Sequence, residues 1–415
     1  MKSAEQGYDR AQCNLACFYE HGKGVEKSIE KAVEWYLKSA EQGNSRAQFC
    51  IGYLYEEGLG LEQSYEKAAY WYEKAAEQGY YRAQCNLGYL YERGEGVKQS
   101  IEKAVELYKN AVEQDSSVAQ YNLAYCYERG EGVEKSMEKA VELYKLAAES
   151  GYDFAQCKLA LCYDLGEGVE QSYEKSAEWY AKAAEQGNAR AQGCLGYCYE
   201  VGEGVEQSYE LAIKWYEEAS KNGYPPAQCN LGYCYESGIG VEKSMEKAVE
   251  LYTLAAEAGH ARAQCNLGFC YDIGKGVEQS PEKAVEWYLK AAEQGHAVAQ
   301  CNLAISYQLG EGISKSNSKA IYWYEKSAEQ NNVTALYKLS EYYREGEGVN
   351  QSYKKAFSLC LKAAELGHTE SQYFVGWCYE KGEGVEKDTK KALFWYKKAA
   401  AEGHEKAQEA FERLK

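Results

Sequence analysis

A Gly-x-Gly pair recurs every 36 residues along the chain, and this fixed step constrains the fold more than any other feature. The first glycines of the eleven pairs stand at positions 22, 58, 94, 130, 166, 202, 238, 274, 310, 346 and 382. Because the step never changes, the 415 residues form one tandem array rather than two or three separate domains. We divide the array into a partial repeat at 1–10 that ends a helix, eleven complete repeats at 11–406, and the start of a twelfth repeat at 407–415.

Apolar residues within each repeat follow the spacing of two α-helices. In the third repeat, Ala83, Leu87 and Tyr91 are four residues apart before the Gly-x-Gly, and Ala104 and Tyr108 repeat that spacing after it. We call the first helix of each repeat helix A and the second helix B. The Gly-x-Gly is expected to end helix A, because glycine adopts the left-handed conformation of a helix C-cap without steric cost.

Capping residues mark both ends of helix B. Every repeat has an N-capping oxygen at one position, supplied by Ser28, Ser64, Ser100, Ser136, Ser172, Ser208, Ser244, Ser280, Ser316, Ser352 and Asp388. Glycine follows helix B in nine repeats, and Asp115 and Asn331, which tolerate the left-handed region, replace it in the other two. One helical hairpin cannot bury its apolar stripe, whereas stacked hairpins form a continuous core. The sequence therefore predicts an all-α, right-handed α-solenoid of about 23 helices.

The repeats resemble the Sel-1-like repeat (SLR) family of the tetratricopeptide-like superfamily. The resemblance rests on the segments at 227–236, 238–241 and 246–252, which read AQCNLGYCYE, GIGV and EKAVELY, and it recurs in register over essentially the whole chain. It implies a non-enzymatic adaptor, because relatives assemble complexes in protein degradation, cell-wall synthesis and bacterial signalling or host-cell entry. Relatives bind different partners through one scaffold, so the resemblance leaves the partner open.

Projection of helix A as a helical wheel predicts which residues line the groove of the solenoid. Ala83, Gln84 and Leu87 fall on the buried arc, while Cys85 and Tyr89 fall on the opposite arc, which should form a concave surface. One row on that arc is aromatic and supplies candidate partner contacts: Tyr53, Tyr89, Tyr125, Tyr197, Tyr233 and Phe269. The alternative is that these rings pack on helix A of the next repeat.

Two charged rows flank the aromatic row. The acidic candidates lie near the C-terminus of helix A: Glu56, Glu92, Glu128, Glu200, Glu236 and Asp272. Acidic residues there oppose the helix dipole, so we expect a compensating partner, either a bound protein or a lysine of helix B such as Lys27 or Lys135. The basic candidates lie at the start of helix A, where plain solubility is the alternative role: Arg46, Arg82, Arg190 and Arg262.

The net charge of −17 argues against nucleic-acid binding, and it is unevenly distributed. Residues 1–310 carry 30 basic and 48 acidic side chains, whereas residues 311–415 carry 17 and 16. We therefore expect the first eight repeats to form an acidic groove for a basic, extended segment of a partner protein. The last three repeats should present a different surface. No apolar run is long enough to insert into a membrane.

Cysteine and histidine rows give no sign of catalysis, of a metal site or of a cofactor site. Two cysteine rows, which include Cys157 and Cys162, are five residues apart on helix A and point about 140° away from each other, so the two thiols of one helix cannot form a disulfide. The resemblance includes a secreted, cysteine-rich branch that bridges helix A to helix B, a pairing that is missing here. Reduced thiols predict a cytoplasmic setting. Four of the five histidines follow the terminal glycine of helix B and are expected to be solvated turn residues.

The sequence thus predicts a non-enzymatic protein-interaction scaffold without cofactors. The alternative is that the array forms the regulatory or targeting arm of a larger signalling protein, or activates a cell-wall synthase. Met1 stands where a helix B is already half complete, so an upstream segment of a parent chain is expected.

Overall fold

The structure is a computed structural model that describes residues 1–415, and it consists of 24 α-helices without a strand. The solenoid of repeated helix pairs is therefore confirmed, with even-numbered helices as helix A and odd-numbered helices as helix B. The first thirteen helices are α1 Lys2–Glu5, α2 Asp9–His21, α3 Ile29–Glu41, α4 Ser45–Glu57, α5 Tyr65–Glu77, α6 Tyr81–Arg93, α7 Ile101–Val112, α8 Ser117–Arg129, α9 Met137–Glu149, α10 Asp153–Leu165, α11 Tyr173–Glu185, α12 Ala189–Val201 and α13 Tyr209–Lys221.

The chain divides into two compact units, Met1–Ala212 and Ile213–Lys415, and within each unit consecutive helices pack against each other. The helices of the second unit after α13 are α14 Pro225–Ser237, α15 Met245–Glu257, α16 Ala261–Ile273, α17 Pro281–Glu293, α18 Ala297–Leu309, α19 Asn317–Glu329, α20 Val333–Glu345, α21 Tyr353–Glu365, α22 Thr369–Lys381, α23 Thr389–Ala401 and α24 Glu405–Leu414. None of the 24 helices combines the length and the apolar character that crossing a membrane requires.

The predicted caps of helix B are confirmed. The Ser28 hydroxyl accepts a hydrogen bond from the backbone N–H of Lys31 at 3.3 Å, and the Asp388 carboxylate accepts one from Lys391 at 3.0 Å. The nine serines between them cap their helices in the same way. These bonds satisfy N–H groups that the first turn of a helix leaves without partners, so they fix where each helix B begins.

Left-handed residues end the helices as the sequence predicts. Helix α6 is followed by Gly94 with a φ of 72°, and the other complete helices A have a glycine in the same conformation. Only two non-glycine residues in the chain have positive φ, namely Asp115 at 58° and Asn331 at 60°. Both stand at the position after helix B where the nine other repeats have glycine. These two residues therefore adopt the same left-handed conformation as the glycines that they replace.

Buried glutamines link successive repeats through their amide groups. The Gln156 Nε2 donates to the backbone carbonyl of Ala148 at 3.1 Å, and its Oε1 accepts from Gln186 at 2.8 Å. Ala148 lies in the last turn of the preceding helix B, where carbonyl groups lack partners within their own helix. The glutamine therefore satisfies a buried acceptor of one repeat from the next repeat along the chain.

The wheel projection is right for the core of helix A and wrong for Cys85. Ala83, Gln84 and Leu87 are buried as predicted, but Cys85, expected on the open arc, is only 5% exposed. Its thiol lies 3.5 Å from the hydroxyl of Ser116, which caps helix A of the next repeat. The prediction failed because the projection of one helix does not include the neighbour that packs against it.

In several repeats the second glycine of the Gly-x-Gly lies against the backbone of the preceding repeat. A Cβ added to Gly96 would overlap the carbonyl group of Tyr65, at the start of the preceding helix B. Gly204 and Gly312 meet Tyr173 and Pro281 at the equivalent place. Because these neighbours are backbone atoms, they cannot rotate away from an added side chain as a flexible side chain would.

We predict that Gly96→Ala destabilises the protein much more than Gly79→Ala. Both glycines have positive φ, but a Cβ on Gly79 would meet nothing within 4 Å. Gly79→Ala should therefore cost about 1–2 kcal/mol for the left-handed conformation alone, and Gly96→Ala roughly 1–3 kcal/mol more for the overlap. Urea unfolding of the two variants measures the difference, and equal losses would show that the close approach does not contribute.

Candidate interaction surface

The predicted aromatic row lies at the surface of helix A. The exposed fraction is 40% for Tyr53, 42% for Tyr89, 49% for Tyr197, 46% for Tyr233 and 42% for Phe269. Tyr125, the remaining member, is partly buried. Most of these rings therefore offer apolar area together with a polar edge to solvent, rather than being enclosed by the next repeat.

Two rings of the row already contact cations of this chain. The Arg93 guanidinium donates to the Tyr89 hydroxyl at 2.9 Å and lies 5.3 Å from the ring centroid. Tyr125 has the same partner in Arg129 and a second cation, Lys158, at 5.5 Å. The pairs show that rings in this row accept a cation over their faces. No cation of the chain lies over Tyr233 or Phe269.

The acidic row is held by buried tyrosines of helix B, a contact that the sequence analysis did not foresee. The tyrosine hydroxyl donates to the carboxylate of the same repeat at distances such as 2.6 Å for Tyr144 and Glu128. The other pairs are Tyr36 and Glu20, Tyr72 and Glu56, Tyr108 and Glu92, Tyr252 and Glu236, Tyr288 and Asp272, and Tyr396 and Glu380. Within the chain, the carboxylate is thus compensated mainly by a hydroxyl group and not by Lys27 or Lys135.

The row also has members that differ in charge or in further partners. Gln308 replaces the acid in the ninth repeat and accepts from Tyr324 at 2.6 Å, so an amide oxygen serves the tyrosine as well. Glu236 has a second partner in Lys275 at 3.3 Å. Glu200 is partly buried on α12.

Glu56 and Glu128 occupy the same repeat position but have opposite pKa shifts. Burial raises the pKa of Glu56, whose neighbours Tyr72 and Asn86 are uncharged. Burial acts in the same direction on Glu128, but hydrogen bonds from Lys158 and Tyr144 outweigh it and hold the pKa of Glu128 below its usual range. Asn86 and Lys158 stand at one position of the following helix A. The residue after each glutamate adds to the difference, since Glu57 raises the pKa of Glu56 and Arg129 lowers that of Glu128.

The basic row lies exposed in the first turn of helix A, at Arg46, Arg82, Arg190 and Arg262. Arg262 reaches back to the preceding repeat, where its Nε donates to the Cys229 sulfur at 3.3 Å and its Nη2 donates to the Asn230 amide oxygen. Arg82 lines a cavity of about 490 Å³ in the first unit together with Phe49, Asn86 and Ser116. Arg262 is thus engaged between repeats, whereas Arg82 donates to Tyr81 of its own helix.

A cavity of about 460 Å³ in the second unit brings together four of the predicted residues. Its lining includes the aromatic residues Tyr233 and Phe269 and the acidic residues Glu236 and Asp272. Glu311, from the next Gly-x-Gly turn, contributes another carboxylate. The cavity therefore combines two open aromatic faces with three carboxylates, an arrangement suited to a guanidinium or ammonium group.

The sequence analysis missed two amides in the same cavity, Asn266 and Asn302. An available signal could have identified them, because asparagine recurs at this helix A position in Asn14, Asn86, Asn122, Asn230, Asn266 and Asn302. Amide groups in such a row can donate to and accept from the backbone of an extended peptide, and they carry no charge that would repel a basic one.

The histidines that follow the terminal glycines are helix caps, and not merely solvated turn residues as expected. The Nδ1 atoms of His260, His296, His368 and His404 each accept a backbone N–H of the following helix A. Burial lowers the pKa of His260, His296 and His368, in keeping with neutral acceptor rings.

All sixteen cysteines are free thiols, and only Cys17, Cys50 and Cys194 are not fully buried. Burial raises the pKa of most of them, for example that of Cys157 to about 12, which disfavours the nucleophilic thiolate. The sequence analysis assigned no metal ligands, yet Cys17, Glu20 and His21 have their donor atoms within 4.8 Å of one another. The spacing of Cys17 and His21, four residues apart on one helix, was the available signal.

We predict that Lys158→Asn destabilises the protein by about 1–3 kcal/mol at neutral pH, because it leaves Glu128 buried without a cationic partner. The folded pKa of Glu128 lies below its unfolded value, so its ion pair stabilises above the unfolded pKa and the contribution is lost as the pH falls through the folded pKa. The deficit of the variant should therefore shrink on acidification below about pH 4.

Lys145→Asn is the matched control, because Lys145 also lies within a helix but forms an exposed pair with Glu149. Lys145→Asn has the same loss of helix propensity as Lys158→Asn, but it removes the partner of an exposed carboxylate and not of a buried one. Unfolding free energies of both variants between pH 3 and 7 give the comparison. If the two losses were equal at every pH, Lys158 would have no special role at Glu128.

Comparison with known proteins identifies the repeats. A family model of the Sel1 repeat matches residues 9–44, 45–80, 82–116, 117–152, 153–188, 189–224, 225–260, 261–296, 297–332, 333–368 and 369–404. Among curated proteins, none matches the chain significantly.

Solved structures agree with the family match. The chain is 34% identical to c5321, a protective antigen of uropathogenic Escherichia coli with an SLR fold; the match covers 100% of this chain and 89% of c5321, with a TM-score of 0.79. A Sel1 repeat protein of Oxalobacter formigenes is 35% identical over 59% of this chain and 96% of its own, with a TM-score of 0.54. From its eleven matched repeats and the structures it resembles, the chain belongs to the Sel1 repeat family.

Proposed function

We propose that this protein is a non-catalytic scaffold that holds a basic, extended segment of a partner protein along its helix A surface. Membership of the Sel1 repeat family suggests a protein-interaction scaffold. The observation that carries the finer proposal is the cavity of Tyr233, Glu236, Phe269 and Asp272, where open aromatic faces stand beside carboxylates. A lysine or arginine side chain fits both features at once.

Contacts within the chain decide which acidic residues are available to a partner. Glu128 and Glu236 already have lysine partners at 2.8 and 3.3 Å, so part of their charge is neutralised. Glu92 and Asp272 have a tyrosine hydroxyl and no ion pair within 4 Å. A partner should therefore depend more on Glu92 and Asp272 than on Glu128 and Glu236.

The aromatic residues should contribute most of the affinity and the carboxylates most of the selectivity. Exposed tyrosine and phenylalanine rings are frequent binding hot spots because they bury a large area with little loss of conformational entropy. Carboxylates attract a basic chain and reject an acidic one, and the long-range part of this effect weakens with salt.

A thiol-rich interior also supports the proposal that the protein works in a reducing, cytoplasmic setting. Thirteen of its sixteen free cysteines are buried, and burial keeps their thiols protonated. Counting reactive thiols with a maleimide before and after unfolding tests this. If freshly prepared protein contained disulfides, the reducing setting would be contradicted.

The test uses a fluorescent twelve-residue peptide of alternating lysine and serine, with a glutamate–serine peptide for comparison. We predict that the full chain binds the basic peptide more tightly, and that Phe269→Ala weakens binding at least about fivefold. Asp272→Asn combined with Glu311→Gln should also weaken it, because the amides remove charge from the cavity. Gln308 shows that an amide keeps the bond to tyrosine, so the double variant should remain folded.

Glu286→Lys on the exposed face of α17 is the control for charge, since it alters the net charge by the same two units as the double variant. It should leave the affinity within about twofold, because its site lies outside the cavity and salt screens its long-range effect. If Glu286→Lys weakened peptide binding as much as the double variant did, binding would depend only on the net charge of the protein. Equal binding of the acidic peptide would contradict the proposal itself.

A further inference from the structure

The last turn of α2 carries three side chains with the donor types that zinc prefers. Cys17, Glu20 and His21 supply a thiol, a carboxylate and an imidazole at positions i, i+3 and i+4 of one helix. This spacing places all three on one face, where their donor atoms lie within 4.8 Å of one another. Sulfur, nitrogen and oxygen ligands together favour a borderline cation such as Zn²⁺ over Mg²⁺ or Ca²⁺.

The distances agree with those of a tetrahedral ion. Zinc bonds of 2.3 Å to sulfur and 2.0–2.1 Å to nitrogen place these two ligands about 3.6 Å apart at the tetrahedral angle. The Cys17 sulfur lies 3.7 Å from the His21 Nδ1, and the Glu20 Oε2 lies 3.9 Å from the same nitrogen. The separations measured from His21 Nδ1 are therefore close to those that one tetrahedral ion requires.

A further residue holds one ligand in place. The buried Tyr36 hydroxyl donates to the Glu20 carboxylate at 2.7 Å, which is the orienting contact that metal-binding carboxylates require. In the structure His21 Nδ1 donates to the Cys17 carbonyl at 2.9 Å, so binding of an ion through this nitrogen has to break that hydrogen bond and move the imidazole proton to Nε2. The three side chains are partly or fully exposed, which leaves a path for the ion to enter.

The repeats provide an internal comparison for this cluster. Each of the other ten repeats has a residue other than cysteine at the position of Cys17, and a residue other than histidine at the position of His21. The first repeat alone has cysteine and histidine at these two positions, and it keeps the acid and its tyrosine. The repeat fold needs neither a thiol nor an imidazole here, since ten repeats form the same helix without them.

We propose that Cys17, Glu20 and His21 form a binding site for one Zn²⁺ ion, with the remaining coordination position open to water or to a donor from a partner. The ion displaces the thiol proton, so the sulfur binds as thiolate. The site does not depend on the proposed peptide groove, whose cavity is formed by other repeats. With a thiolate and a carboxylate as ligands the occupied site has no net charge, so binding of the ion removes the negative charge of Glu20 from the first repeat.

Cobalt is the spectroscopic probe for the site. Co²⁺ added to the full chain should produce a thiolate-to-cobalt charge-transfer band and the visible bands of a tetrahedral ion, saturating at one equivalent and disappearing when Zn²⁺ is added. Cys17→Ser should abolish the charge-transfer band, and His21→Ala should weaken binding at least about tenfold. Cys194→Ser, which removes another partly exposed thiol in the sixth repeat, should leave the spectrum unchanged.

The second repeat allows the site to be transplanted. Tyr53→Cys combined with Glu57→His places the same two residue types around Glu56, which keeps its bond to Tyr72. A second equivalent of Co²⁺ should then bind with the same spectrum. A charge-transfer band that survives Cys17→Ser, the absence of a saturable band in the unmodified protein, or a folded double variant that binds only one equivalent would each overturn the proposal.

Discussion

A buried tyrosine hydroxyl of helix B, bonded to an acceptor near the end of helix A, joins the two helices in most repeats, whereas the tenth repeat has Cys360 and Arg344 at these positions. The ring fills the space between the two helices, and Tyr72, Tyr108 and Tyr144 are completely buried. Each hydroxyl needs a partner, because an unpaired buried polar group costs about 1–3 kcal/mol. An oxygen acceptor therefore recurs with the tyrosine in these repeats, and the first role of the acidic row is to supply it.

The same contact connects the core to the surface. A carboxylate that accepts one tyrosine bond has further lone pairs, and it lies where the following helix A passes. Asn86 donates to Tyr72 at 3.0 Å, whereas Lys158 donates to Glu128 at 2.8 Å. One difference in the next repeat thus turns a network without a cation into an ion pair. Nearest-neighbour stacking lets each repeat adjust the charge of the previous one without altering the backbone.

Local signals in the sequence predicted the fold, because helix ends depend on the residues that form them. Serine caps, left-handed glycines and the exceptions at Asp115 and Asn331 are all settled within a few residues of chain. The candidate site was harder to predict, because its contacts join different repeats. Cys85 is buried by Ser116 of the next repeat, and the Glu128 carboxylate meets Lys158 thirty residues later. Rows visible in the sequence identify which residues are equivalent, but packing decides what each one touches.

At the acidic row, the hydrogen bond to the tyrosine does not require the negative charge of the acceptor. Gln308 accepts from Tyr324 at 2.6 Å, as closely as Glu128 accepts from Tyr144. The structural requirement is therefore for an oxygen acceptor, and a neutral amide meets it. A negative charge at Glu92 or Asp272 is not needed to hold the tyrosine, and near a helix C-terminus it acts against the helix dipole. The first eight repeats nevertheless carry an acid at this position. Because the fold requires only the acceptor, the recurring charge is available to attract a basic partner.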